Sequence, residues 1–260
     1  MTILPKLKRR TTLEIGTSFE KHALRYLNDK LYMNLRRVGG AGDGGIDLRG
    51  WWWLPKSKNE IPITYNSIFE PNGNGIKRIR IIVQCKAEKK KIGPRSIREL
   101  EGVLNNLKNR NNQFLSSNIF ENDSSILINS NTINENFEDN LDKNDENKNE
   151  NDLGILISQS GFTKSTMNYS MTCNLPIMLI HLPGGKIENE FKDDDNQGQK
   201  NYSETKDEYD DIQVNSLWWN KALSNGILGN EIEIRRTISI KGISVGLWKD
   251  GKPLGDLRPT

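Results

Sequence analysis

A nine-residue run, Ile79 to Ala87, constrains the fold more than any other stretch. It is mostly apolar and β-branched, the pattern of a central strand buried on both faces. Side chains along a strand alternate, so Gln84 and Lys86 share one face near its end while Val83 and Cys85 share the other. Polar groups on a buried sheet cost free energy unless they are partnered, which marks this strand end as a candidate site. Upstream, a glycine-rich approach ends in Gly44-Gly45-Ile46-Asp47 and continues as a strand-like stretch to Leu54. Two short strands thus carry an aspartate and a Gln-x-Lys pair towards one point. A divalent metal with a phosphate in front of it would satisfy the carboxylate, the amide oxygen and the ammonium together.

The glycines admit another reading. A G-x-G-x-x-G match runs from Gly40 to Gly45, but a dinucleotide site needs a helix directly after it, and here a strand ending in Pro55 follows. A tight turn that lets backbone approach a neighbour or ligand explains the glycines better. Trp51, Trp52 and Trp53 alternate across the strand, one face packing and the other staying near the surface, where core and edge packing or stacking on bases is open to it.

Around these two strands the remaining elements fall in order. Thr11 or Thr12 caps a helix running to Leu27, with Ile15, Phe19, Ala23, Tyr26 and Leu27 as its buried stripe. Glu20 sits at the edge of that stripe, either as a solvated glutamate or facing a site, and His22 is a partly exposed helix residue. Leu31 to Val38 reads as the first strand, with Leu35 and Val38 inward, and residues 55–77 form a loop. A lysine run, 89–91, leads into a helix begun by Pro94, buried through Ile97, Leu100, Val103, Leu104 and Leu107. Arg95 and Arg98 at its start suit a phosphate or a merely solvated face. Leu153 to Ser158 and Pro176 to Leu182 are strands flanking a helix from Lys164 to Cys173, with His181 structural. Ser216 caps a short helix, Leu217 to Leu223, and Glu231 to Ile240 alternates as a half-exposed strand before the turn at Asp250-Gly251.

Only 34% of the 260 residues are hydrophobic, so part of the length is not core. Residues 111–152 and 184–211 are Asn-rich and acidic and read as two disordered insertions. Without them a basic N-terminal arm, residues 1–10, precedes one α/β domain over 11–260, a mixed central sheet with helices on both faces. The net charge of +3 hides an asymmetry: residues 1–110 hold 23 Lys and Arg against 10 Asp and Glu, the remainder 14 against 24. A basic first half suits an anionic partner. Two cysteines, Cys85 and Cys173, give neither a disulfide framework nor zinc spacing and read as small core residues in a reducing compartment. No segment reaches the roughly 18 to 20 apolar residues that span a bilayer. The acid-free start with Lys6, Lys8, Arg9 and Arg10 is compatible with an organelle-targeting arm.

Phosphodiester hydrolysis needs a metal held by hard oxygen ligands and a cation near the phosphate or nucleophile. Asp47 supplies the anionic ligand, Gln84 an amide oxygen, Glu20 a second carboxylate, and Lys86 the cation that orients water or acts as base. Gly16-x-x-Phe19-Glu20, Asp43-Gly44-Gly45-Ile46-Asp47 and Val83-Gln84-Cys85-Lys86 resemble the Mrr-type branch of the PD-(D/E)XK restriction-endonuclease-like fold, in which a glutamine replaces the usual last acid. Within that fold Val38 to Trp52, Gln84-Cys85-Lys86 and Gly93-Pro94 to Glu101-Gly102 resemble a fungal mitochondrial family required for respiratory growth. The resemblance implies metal ligation by Asp47 and Gln84 with Glu20 in support, a catalytic Lys86, Mg²⁺ or Mn²⁺ as cofactor, DNA as the nucleic-acid partner and a mitochondrial location. It leaves oligomeric state open. Gln84 brings no charge, and Mg²⁺ affinity grows with ligand charge. A metal-dependent nuclease and a non-cleaving nucleic-acid-binding or scaffold protein on the same fold therefore both stand as expectations.

Overall fold

The computed structural model describes residues 11–38, 45–57, 75–120, 152–184, 212–239 and 242–259. The basic arm, the glycines before Gly45, most of the expected 55–77 loop and most of the two acidic stretches lie outside the described residues.

Helix α1, Thr12–Lys30, starts on a capping box in which the Thr11 hydroxyl accepts from Glu14 N and the Glu14 carboxylate accepts from Thr11 N. Phe19, Ala23, Tyr26 and Leu27 form its buried stripe, but Ile15, one turn from the start, is 40% exposed. Three strands follow as a meander: β1 (Met33–Arg37), β2 (Leu48–Pro55) and β3 (Ile76–Lys86), paired antiparallel in that order. Met33 and Leu35 are the inward residues of β1. Val38 lies past its end, where its N–H donates to Asp47 O. Helix α2, Pro94–Phe120, crosses over to β4 (Leu153–Ser158), which pairs parallel with β3. The helix runs to Phe120, into the stretch expected to begin the first insertion. Helix α3 (Lys164–Thr172), capped by Thr163, leads to β5 (Ile177–His181), parallel to β4.

The expected helix after Ser216 is instead strand β6, Ser216–Trp219, antiparallel to β5 at the sheet edge and followed by a π-helical turn, Ala222–Ile227. Asn220 decides it. Its buried side chain accepts from Ile177 N and Leu223 N and donates to the carbonyls of Ser170, Cys173 and Leu175, which ties the chain to the end of β5 before a helix can begin. The six strands β1 to β6 lie in sequence order in one mixed sheet. A second, three-stranded sheet follows: β7 (Ile232–Ser239), β8 (Gly242–Lys249) and β9 (Lys252–Pro253).

Alternation along the strands divides the core. Ile79, Ile81 and Val83 face α1 with Met33, Leu35, Leu48 and Trp52, while Ile82 faces the opposite way with Ile97, Leu100 and Leu104 of α2. At Gly154 of β4 a Cβ would meet Leu104 at 2.8 Å, so only glycine lets α2 pack this closely on the sheet. Among the described residues no helix is long and apolar enough to cross a membrane.

Candidate functional site

The Asp47 strand and the Gln84–Lys86 strand end side by side. Asp47 N donates to Val83 O at 2.9 Å, and the Asp47 carboxylate accepts from Cys85 N at 2.6 Å. Asp47 is therefore bonded to both chain neighbours of Gln84, which sets its carboxylate beside that residue. Gln84 is 7% exposed, and its Oε1 is buried without a hydrogen-bond partner. An orphaned amide oxygen of this kind costs about 1–3 kcal/mol. Its Nε2 lies against Gly45, which has φ +83° and where a Cβ would come within 3.0 Å of that nitrogen. The glycine before Asp47 thus serves the turn and the approach of the Gln84 amide at once.

Lys86 is half-buried, and its ammonium has no ion-pair partner among the described residues. It opens into a cleft of about 310 Å³ between the end of β3 and the start of α2, lined also by Glu88, Lys91, Arg95 and Glu99. The cleft reaches Lys86 without touching Asp47 or Gln84. Of the two arginines expected to greet a phosphate here, Arg95 pairs with Glu99 at 2.9 Å and Arg98 stacks over Tyr169 at 5.0 Å. The Tyr169 hydroxyl in turn donates to Glu101.

Glu20 faces the sheet rather than water, with its carboxylate on Arg37 Nε at 2.5 Å and Thr17 holding the same guanidinium at 3.3 Å. Arg37 has no short-range signal in the sequence, since it lies 17 residues from its partner. What could have found it is the alternation of β1, which puts Arg37 on the side of Met33 and Leu35, towards α1.

Cys85 connects the set. Its thiol is pushed well above the ordinary range, first by burial and then by the charges of Asp47 and Glu20, with Lys86 opposing them. Asp47 reaches Cys85 through its backbone N–H and Lys86 is the next residue, whereas Glu20 lies with Arg37 on the α1 side of the sheet. His22 and His181 stand apart from this set. His22 is half-buried on α1, and the His181 ring packs against Gly161 with Nε2 3.2 Å from Asn215 Nδ2.

The orphaned Gln84 oxygen and the adjoining Asp47 carboxylate are hard oxygen donors of the kind Mg²⁺ or Mn²⁺ takes, so these residues fit such an ion. Glu20 fits less well, because Arg37 already holds it. Among the described residues no group of three His, Cys, Asp or Glu side chains is gathered as a metal would gather them.

Residues 11–134 match the family model of Required for respiratory growth protein 7. That stretch carries α1, the three-strand meander and α2, hence all four candidate residues. Required for respiratory growth protein 7 of Saccharomyces cerevisiae, named mitochondrial, is 34% identical over 127 residues, 37% of this chain and 50% of that protein. Its namesake in Vanderwaltozyma polyspora is 33% identical, over 38% of this chain and 49% of the relative. A Schizosaccharomyces pombe protein named as uncharacterized and mitochondrial is 38% identical over 93 residues, 36% of this chain and 30% of its own length. The chain thus spans half or less of these relatives. No solved structure matches it.

Proposed function

We propose that this chain is a mitochondrial protein of the respiratory-growth type whose β2–β3 strand ends form a metal-dependent nuclease site acting on DNA. The mitochondrial part rests on the relatives' names. The nuclease part rests on one observation above all: a buried amide oxygen on Gln84 without a partner, beside the Asp47 carboxylate and one strand position from Lys86. Buried side-chain polar atoms without partners are few in native folds, and this one stands beside a carboxylate and a lysine. The order α1-β1-β2-β3-α2-β4-α3-β5 supports the restriction-endonuclease-like reading of the sheet.

In this reading Asp47 and Gln84 would hold Mg²⁺ or Mn²⁺, and Glu20, reoriented by Arg37, would tune their field. The ion would supply Lewis acidity towards a phosphate ester. The chain's own part is to fix these oxygens on backbone that cannot shift, Asp47 through Cys85 N–H and Gln84 against Gly45. Lys86, at the mouth of the basic cleft, would bind a phosphate oxygen and orient the attacking water. Asp47→Ala and Lys86→Ala should each lower Mg²⁺- or Mn²⁺-dependent DNA cleavage by about 10²-fold or more, the scale of losing one transition-state contact. Cleavage at the wild-type rate by both variants would overturn the reading.

A non-cleaving nucleic-acid-binding protein on the same fold is the second reading, favoured by the commitment of Glu20 to Arg37. It predicts that Asp47→Ala restores respiratory growth to a deletion strain as fully as wild type, at equal protein abundance.

A further inference from the structure

The cleft beyond Lys86 carries more than hydrolysis asks for. Its walls are the stretch from Glu88 to Gly93 and the start of α2. That stretch is pinned from behind at Lys90 and Ile92. Ser160 Oγ donates to Lys90 O at 2.5 Å, and Ile92 N donates to Gly161 O at 3.0 Å. The Ile92 carbonyl accepts from Thr163 N at 3.0 Å and from Thr166 Oγ1 at 2.7 Å, and its side chain is buried. Glu88 and Lys91 are exposed, so their side chains are presented to the cleft from fixed backbone.

The lining mixes signs. Lys86, Lys91 and Arg95 share it with Glu88 and Glu99. Arg95 and Glu99 pair at 2.9 Å with side chains 90% and 41% exposed, a contact that water keeps weak. Lys86, Lys91 and Glu88 have no ion pair among the described residues. Two ammoniums and a carboxylate left over in one cleft suit a ligand that brings an anionic group and a hydrogen-bond donor together. One nucleotide unit of a strand is such a ligand, with a phosphate to be positioned and a base edge to be read. Three cations against two carboxylates leave one positive charge, which a single phosphodiester cancels. A run of phosphates would meet the carboxylates instead. The volume of about 310 Å³ lies at the small end of ligand pockets, roughly 300–1,000 Å³, and admits one unit rather than a paired duplex. Lys86 belongs both to the cleft and to the candidate site, so the nucleotide seated here adjoins the phosphate at the metal position.

We propose that this cleft is a base-reading subsite: Lys86 and Lys91 hold the phosphate, and Glu88 accepts from the exocyclic amino group of the adjoining base. Cytosine offers that amino group, whereas thymine offers a carbonyl oxygen and a methyl group in its place and meets the carboxylate with repulsion. The inference rests on the nucleic-acid reading above and adds a sequence preference to it.

The test uses the full chain in EDTA, so that no metal-dependent cleavage intervenes, under mildly alkaline conditions that keep oligo(dC) unpaired. Fluorescein-labelled oligo(dC) and oligo(dT) are read by anisotropy, with melting midpoints alongside. Wild type should bind oligo(dC) about tenfold more tightly than oligo(dT), the scale of one specific base contact. Glu88→Gln should erase most of that preference, because an amide both donates and accepts. Lys91→Ser should weaken both oligonucleotides by a similar factor and leave their ratio standing. Equal affinity for the two in wild type, a cytosine preference that survives Glu88→Gln, or unchanged affinity in Lys91→Ser overturns the subsite and leaves the nucleic-acid reading in place. A cytosine preference lost in Glu88→Gln, with no cleavage by wild type once Mg²⁺ is added, keeps the subsite and removes the nuclease.

Discussion

Two buried oxygens without partners separate packing from purpose at the level of single residues. The Tyr26 hydroxyl on α1 lies in the core with no hydrogen bond, and burial pushes its pKa up. Nothing nearby gives it a task, so Tyr26→Phe should leave stability unchanged or raise it by about 1 kcal/mol in urea unfolding. Gln84 carries the same defect beside Asp47 and Lys86. Gln84→Met should likewise raise the unfolding midpoint, yet abolish metal-dependent cleavage, the trade expected where a site is held at a cost to the fold. A drop in midpoint would show that the amide is structural. His22 gives a pH signature. Burial first, and Arg25 second, hold its pKa below the usual 6.5. Between that lowered value and 6.5 the unfolded chain takes up a proton that the folded chain refuses. Its stability contribution is therefore complete above pH 6.5 and lost as pH falls through the lowered value. Urea midpoints between pH 7 and 5 should fall further for wild type than for His22→Gln.

Elements whose ends are written locally were the legible ones. α1 was readable because its capping pair, Thr11 and Glu14, and its buried stripe lie within one helix, and Thr11→Ala should cost about 1 kcal/mol of stability in denaturant unfolding. The β4–α3–β5 run was readable for the same reason, with apolar runs of strand length around a Thr163 cap. β6 was read as a helix because Ser216 followed by bulky apolar residues has the look of a capped start. The decisive bonds come from Asn220 to residues 43 to 50 positions earlier, which no local pattern records. Asn220→Ala should therefore cost more than a surface substitution, about 3 kcal/mol, because it orphans several buried groups at once. At the site the alternation of β3 gave Gln84 and Lys86, while the Arg37 contact to Glu20 waited on the strand register.

For the molecule as a whole, the sheet brings the site together from the first third of the chain, and the rest of the chain extends and braces it. The same limit on legibility recurs here. Residue types and alternation showed that two strand ends carry polar groups, whereas the stacking of Arg78 over Trp51 required knowing which strands are neighbours and in what register. The join between β3 and β4 has a buried brace of its own. Arg80 holds Asp152 by two bonds, Nε to Oδ1 at 2.6 Å and Nη2 to Oδ2 at 2.7 Å, with both side chains less than a tenth exposed. Removing either partner should cost about 3–5 kcal/mol, the scale of breaking a buried ion pair. Asp152 immediately precedes β4, so this clasp fixes where the returning chain docks, independently of the length of the stretch between Phe120 and Asp152. Descendants of this sequence are thus at liberty to shorten, lengthen or even sever that stretch. Two separately expressed pieces, 1–120 and 152–260, should find each other and co-purify, and should fail to do so once Asp152 is replaced by alanine.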